Sequence, residues 1–362
     1  MLRSISSILL LAVAACSSQS ATTVWFGAAG PWHEGYGLAN KQGIQLALEE
    51  INASDAWAGK RHLEINFAND SASGVIASRI AQGFVDSTRY VAVVGHVNSS
   101  AMVSAAHVYD GHLAAVATTA TSPALTGISP WAFRVIPSDS ANAQTIARFA
   151  SKLGRTRATI LYENNAYGRG LAENFRKNFQ GEIVGIDPIS EDGNQSFEPY
   201  VSWFKSVRPD VVFVAGTGAS GLTFLKEYRR QQFNVDLVGG DGWQTLVGDP
   251  NAEGAYVGAP FSAQDPRPEA RTFVAAFQRK YNALPDGNAA LAYDATKLLA
   301  AAVEKVGPDR EKIRDYLANL SSGDGFHGVT GAIRFSEDGD PLGKKITMTR
   351  IKHGVLLVET NQ

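Results

Sequence analysis

From residue 23 onward, short apolar runs with strand character trade places with stretches whose apolar residues recur at helical spacing. This close alternation predicts parallel sheets flanked by helices, an α/β architecture. Residues 23–28 read as a first strand. Over 38–53, Ile44, Ala47, Leu48 and Ile51 fall on one helical face, and Leu63, Ile65 and Phe67 then alternate as in a strand. Ile76, Ile80 and Phe84 mark a second helix, with strands at 91–94 and 115–117. A fresh round follows 133–137. Ile146, Phe149, Ala150 and Leu153 carry helical spacing up to Gly154, a C-terminal cap residue. Strands are expected at 158–162, 182–186, 211–215 and 236–239, with helices at 171–179 and 197–207 between them. Long helices at 268–281 and 289–306 come next, then terminal β-structure at 331–335 and 346–358 that turns at His353-Gly354.

Two rounds imply two lobes, and 362 residues suffice for both. With no linker-like segment between the rounds, the chain is expected to cross several times through a hinge. The reading assigns 1–15 to a signal peptide and 16–22 to a lipidated tether. It assigns 23–137 plus 266–323 to an N-terminal lobe, and 138–265 plus 324–362 to a C-terminal lobe. A net charge of −2, with 19% charged residues, offers no basic footprint for nucleic acid.

The first residues carry Arg3, an apolar run from Ile8 to Ala15, and then Ser17, Ser18, Gln19 and Ser20. This is the layout of a secretory signal, with an apolar run too short to span a bilayer. Val13-Ala14-Ala15-Cys16 resembles the bacterial lipobox, which implies acylation of Cys16 and anchoring to a membrane at the periplasm or cell surface. Cys16 is the sole cysteine, so no intramolecular disulfide forms.

Several phrases carry a family resemblance: Gly27-Ala28-Ala29-Gly30-Pro31 with Tyr36-Gly37, Glu50-Ile51-Asn52-Ala53, and Val93 through Ser100. Ala120-Thr121-Ser122-Pro123, Phe133-Arg134, Tyr167-Gly168-Arg169-Gly170 and Arg208-Pro209-Asp210-Val211 continue the series in order. Together they resemble the leucine/isoleucine/valine-binding proteins of bacterial uptake transporters. The resemblance implies the type I periplasmic binding fold: two Rossmann-like lobes, each a mostly parallel sheet, joined by a multi-crossing hinge. It also implies a binding lipoprotein that closes over an amino acid or analogue and presents it to the membrane permease of an ATP-driven (ABC) transporter. Neither cofactor nor catalysis belongs to that role. A lipid-anchored co-receptor serving a membrane sensor is the alternative, as is a binder of amides or aromatic carboxylates.

An α-amino acid asks for anion donors, a carboxylate and a shaped apolar wall. Ser99 and Ser100 follow a strand and open a helix, where free N–H groups favour an anion. The resemblance adds Thr121 and the backbone at Thr119, and it puts Tyr167 and Asp241 on the ammonium. Trp32, Tyr36 and Trp243 are expected at the apolar wall, with Thr217 in a loop where backbone approaches the ligand. His33 and Glu34 stand where relatives usually carry small residues.

Other chemistries find little support. Gly216-Thr217-Gly218-Ala219-Ser220-Gly221 imitates a dinucleotide fingerprint but sits in the third unit of the second round. Ser202-Trp203-Phe204-Lys205 lacks the partner motifs of penicillin-recognising enzymes. The seven histidines form no metal-binding set, and His96 is expected to be a satisfied structural histidine.

Overall fold

The computed structural model describes residues 21–190, 195–321 and 323–360. Cys16 and the signal and lipobox reading lie outside the described residues. Two sheets organise the chain. The first takes β1 (Thr22–Gly30), β2 (Arg61–Asn69), β3 (Tyr90–Gly95), β4 (Ala115–Ala117) and β5 (Ala132–Arg134) in the order β2-β1-β3-β4-β5, all parallel. Helices α1 (Gly35–Ala53), α2 (Gly74–Asp86) and α3 (Ser99–Tyr109) connect them.

The second sheet is built from β6 (Arg157–Glu163), β7 (Glu182–Ile189), β8 (Val211–Ala215), β9 (Asp236–Gly239) and β10 (Tyr256–Ala259), parallel in the order β7-β6-β8-β9-β10. Antiparallel β13 (Thr347–Lys352) and β14 (Val355–Val358) extend its far edge. They turn at His353 and Gly354, both at positive φ, as a tight hairpin requires. Its helices are α4 (Asp139–Lys152), α5 (Ala166–Asn178), α6 (Glu198–Val207) and α7 (Gly218–Arg230). Gly154, at φ +76°, lies just beyond α4 as the sequence led us to expect.

Central strands β3 and β8 are buried along their whole length. Covering both faces of a parallel sheet is what makes such strands continuous apolar runs. Separate cores occupy the two faces of each sheet: Phe26, Val94 and Leu298 on one side of the first, Val93, Met102 and Tyr109 on the other. Around the second sheet, Ile160 and Phe175 lie on one face, Val212 and Trp243 on the other.

The chain passes between lobes three times: after β5, after β10, and between 335 and 346. The second passage returns it to the first lobe, where α9 (Gly287–Val306) packs along α1, with α8 (Pro268–Tyr281) and α10 (Arg310–Ala318) beside it. A hairpin of β11 (Phe326–Gly328) and β12 (Gly331–Ile333) follows. Ile333 and Phe335 join the core that contains Phe26 and Leu298. The division expected at 324 therefore falls ahead of a hairpin that packs on the first sheet, because its apolar side is buried against α9.

Buried Arg134 fastens the first passage to the third. Its Nε donates to Asp340 Oδ1 at 2.7 Å, one Nη to the carbonyls of Thr121 and Ser122 at 3.0 and 2.8 Å, and the other to Thr126 Oγ1 at 2.7 Å. One guanidinium thus joins the hinge to the loop that follows β4.

Candidate functional site

Ligand crevices in α/β sheets lie outside the carboxyl ends of parallel strands. Here the ends of β1 and β3 face those of β6, β8 and β9 across a cleft of about 560 Å³, part of it open to solvent. Tyr36, Asn98, Ser99, Ser100, Thr119 and Asn288 line one wall, and Glu163, Asn165, Tyr167, Thr217, Asp241 and Gly242 the other. The walls touch where Ala166 N–H donates to Ser100 Oγ at 3.4 Å. Beside the cleft, Gly287 N–H donates to Gln244 Oε1 at 3.0 Å.

On the first wall, α3 opens at Ser99 behind Asn98, whose side chain makes no capping bond and instead donates to Tyr36 Oη at 3.0 Å. The first N–H groups of a helix have no partner within it, so this end offers donors and positive potential to an anion. Ser99 Oγ accepts from the N–H groups of Thr121 and Ser122 at 3.2 and 3.1 Å and so fixes the loop after β4. Thr119 Oγ1 donates to the Val97 carbonyl at 3.1 Å.

The opposite wall is acidic. Glu163, at the end of β6, is buried and holds three donors on Oε1: Thr217 N–H at 2.8 Å, Thr217 Oγ1 at 2.7 Å and Ser220 Oγ at 2.7 Å. Asn165 Nδ2 donates to Oε2 at 3.0 Å. Tyr167 donates its phenolic proton to Asp241 Oδ1 at 3.0 Å and accepts from Gly242 N–H at 3.2 Å. Burial pushes the Asp241 carboxyl up to about 6, with the Tyr167 bond pulling it partly back. Asp139, fully buried at the start of α4, is held well above the usual carboxylate range by burial and then by the charge of Asp241.

Of the residues singled out in the sequence, Tyr36, Ser99, Ser100, Thr119, Tyr167, Thr217 and Asp241 come together on the lining. Three do not. Thr121 is fully buried, its N–H on Ser99 and its carbonyl accepting from Arg134 and from Asp139 N–H, so it braces the wall from behind. Trp32 packs edge-on against Phe67, ring centroids 5.7 Å apart. Trp243 is wholly buried over Gly239 and Gly221, where an added Cβ would meet its indole at 2.3 and 2.4 Å. Both tryptophans belong to packing because glycine or a neighbouring ring leaves them a slot beneath the loop. His96 is a buried structural residue, Nδ1 2.7 Å from Asp70 Oδ2 and Nε2 3.0 Å from Tyr109 Oη.

Glu163, Asn98, Asn165 and Asn288 were not anticipated on the lining. Glu163 carries the signal used for Asp241, an acid at a strand's carboxyl end, but the strand read from the sequence stops one residue short of it. Asn288 comes from α9, too far along the chain for any local pattern to place it. Among the described residues, no group of three or more His, Cys, Asp or Glu could hold a metal ion, and no helix is long and apolar enough to cross a membrane.

A family model described as "Periplasmic binding protein" matches residues 28–355. A Leu/Ile/Val-binding protein of Rhizobium johnstonii is 26% identical over 335 residues, covering 89% of each chain. An ABC transporter substrate-binding protein from Desulfitobacterium hafniense, solved in complex with Leu, is 30% identical with a TM-score of 0.81, covering 93% of this chain and 100% of its own. The branched-chain amino acid transporter substrate-binding protein LivJ from Streptococcus pneumoniae, solved in complex with isoleucine, reaches a TM-score of 0.85 at 26% identity over 93% of this chain and 99% of its own.

Proposed function

The chain belongs to the periplasmic binding protein family, and from that premise we propose that its cleft holds the zwitterionic end of an amino acid for delivery to a membrane permease. The relatives reported above are binding proteins, not enzymes, and the two solved structures are substrate-binding proteins of transporters. The observation that carries the ligand assignment is the polarity of the two walls. Free N–H groups at the start of α3 face buried carboxylates at the ends of β6 and β9.

In this reading the ligand carboxylate takes the N–H groups of Ser99 and Ser100 and the backbone at Thr119. Its ammonium takes Asp241, with Tyr167 holding that carboxylate in place. Tyr36 and Ala72 border the space left for the side chain. Binding across both walls favours the closed arrangement in proportion to the ligand's preference for it. A lipid anchor at Cys16 would hold the domain beside its permease.

A thermal-shift screen of the domain following Cys16 tests this against amino acids, amides and aromatic carboxylates. A true ligand at one hundred times its Kd raises stability by about 2.7 kcal/mol. A response to aliphatic L-amino acids supports the reading. A response confined to carboxylates or amides overturns the ammonium site, and silence across the panel overturns the ligand class.

A further inference from the structure

A second cavity lies in the hinge, away from the cleft. Val135 and Pro137 of the first passage, Pro260 of the second, Leu291 of α9, residues 330–334 at the β11–β12 hairpin and residues 342–345 of the third passage enclose about 650 Å³, part of it open to solvent. Its floor of Val135, Pro137, Pro260 and Leu291 is apolar, and its rim carries Arg334, Lys344 and Lys345 with no acidic side chain on the lining. We propose that this hinge cavity is a binding site for a small organic anion, a compact apolar body bearing a carboxylate or phosphate.

Three observations support it. Among the described residues the half-buried Arg334 and exposed Lys345 side chains make neither a hydrogen bond nor an ion pair. Lys344 Nζ donates to Thr330 Oγ1 at 2.5 Å, whose hydroxyl in turn donates to Asp294, a carboxylate that also accepts from the N–H groups of Val329 and Thr330. Burial draws the Lys344 ammonium down to about 8, the charge of Asp294 pulling it partly back and that of Arg267 adding to the fall. Cations gathered in a low-dielectric concavity focus potential on an incoming anion, and an apolar floor gives its body somewhere to go. A planar guanidinium suits a two-oxygen contact with carboxylate or phosphate. Because all three passages line the cavity, an occupant would also bear on the angle between the lobes.

Phenylphosphate is a suitable probe, followed by calorimetry on the purified protein at constant ionic strength, with sodium chloride as the reference anion. The expected result is saturable binding to the native protein and at least a tenfold loss in the Arg334→Gln, Lys345→Gln double variant. Neither side chain has a partner to lose, so the variant should fold as the parent does, and its unchanged thermal midpoint in chloride verifies this. Equal phenylphosphate binding by parent and variant would overturn the proposal by placing the probe elsewhere, in the cleft or on the general surface. No more heat than chloride produces would overturn it as well.

Discussion

Tyr167 Oη and Asp241 Oδ1 stand 3.0 Å apart, the tyrosine in the first turn of α5 after β6 and the aspartate in the turn after β9, and these two strands lie on either side of β8. The tyrosine therefore aims a buried carboxylate whose other donor is its own backbone N–H. Removing the charge separates fold from function. Asp241→Asn keeps an oxygen for Tyr167 and removes a costly buried anion, so the unliganded domain should gain stability, on the order of 1–3 kcal/mol at pH 7. Its affinity for an amino acid should fall about 100-fold. Chemical denaturation and titration of one preparation measure both.

The same carboxyl sets a pH dependence. Its folded value of about 6 lies above the ordinary 3.8, so the unliganded fold binds this proton more tightly than the unfolded chain does. That contribution to stability is whole below about 3.8 and is lost as pH rises through about 6. Ligand binding runs the other way, since an ammonium needs the ionised form. Affinity for an amino acid should fall about tenfold per unit below pH 6, while apo stability rises over the same interval. Buried Asp139 is held well above the usual carboxylate range by its burial and then by the charge of Asp241, so the two carboxyls disfavour each other's ionisation.

Much of this was legible before any coordinates, for reasons that differ by residue. Ser99, Tyr167 and Asp241 sit where a strand ends and a helix or turn begins, and the position of a crevice follows from such junctions. Periodicity alone cannot separate an aromatic residue at a cleft wall from one that drops into a slot, which is why Trp32 and Trp243 read the same as Tyr36. The slot under Trp243 exists because Gly239, at the end of β9, and Gly221, on α7, lie beneath it, and the second of these is brought there only by the fold. Arg134 and Asp340 are 206 residues apart, and no local pattern announces their pairing.

Trp32 gives a direct check of the packing assignment. Trp32→Ala should destabilise the domain by about 2 kcal/mol through lost contact with Phe67 and its surroundings. Ligand affinity at the cleft should stay within roughly threefold of the parent. A large affinity loss without a stability loss would return Trp32 to the ligand wall.

Arg134→Met strips Asp340 of its counter-charge and frees the carbonyls of Thr121 and Ser122. Breaking a buried pair on one side costs on the order of 3 kcal/mol. The loop behind Ser99 loses its brace too, so ligand affinity should weaken severalfold although no cleft residue has changed. Urea denaturation and calorimetry read the two effects.

The central claim is that Asp241 receives a ligand ammonium, and a calorimetric cycle tests it most directly. Parent and Asp241→Asn are each titrated with the best aliphatic amino acid and with its deaminated carboxylic acid. The account predicts that the substitution weakens the amino acid by about 100-fold, close to 3 kcal/mol, and leaves the deaminated acid nearly unchanged. Equal losses for the two ligands, or none for either, would contradict it.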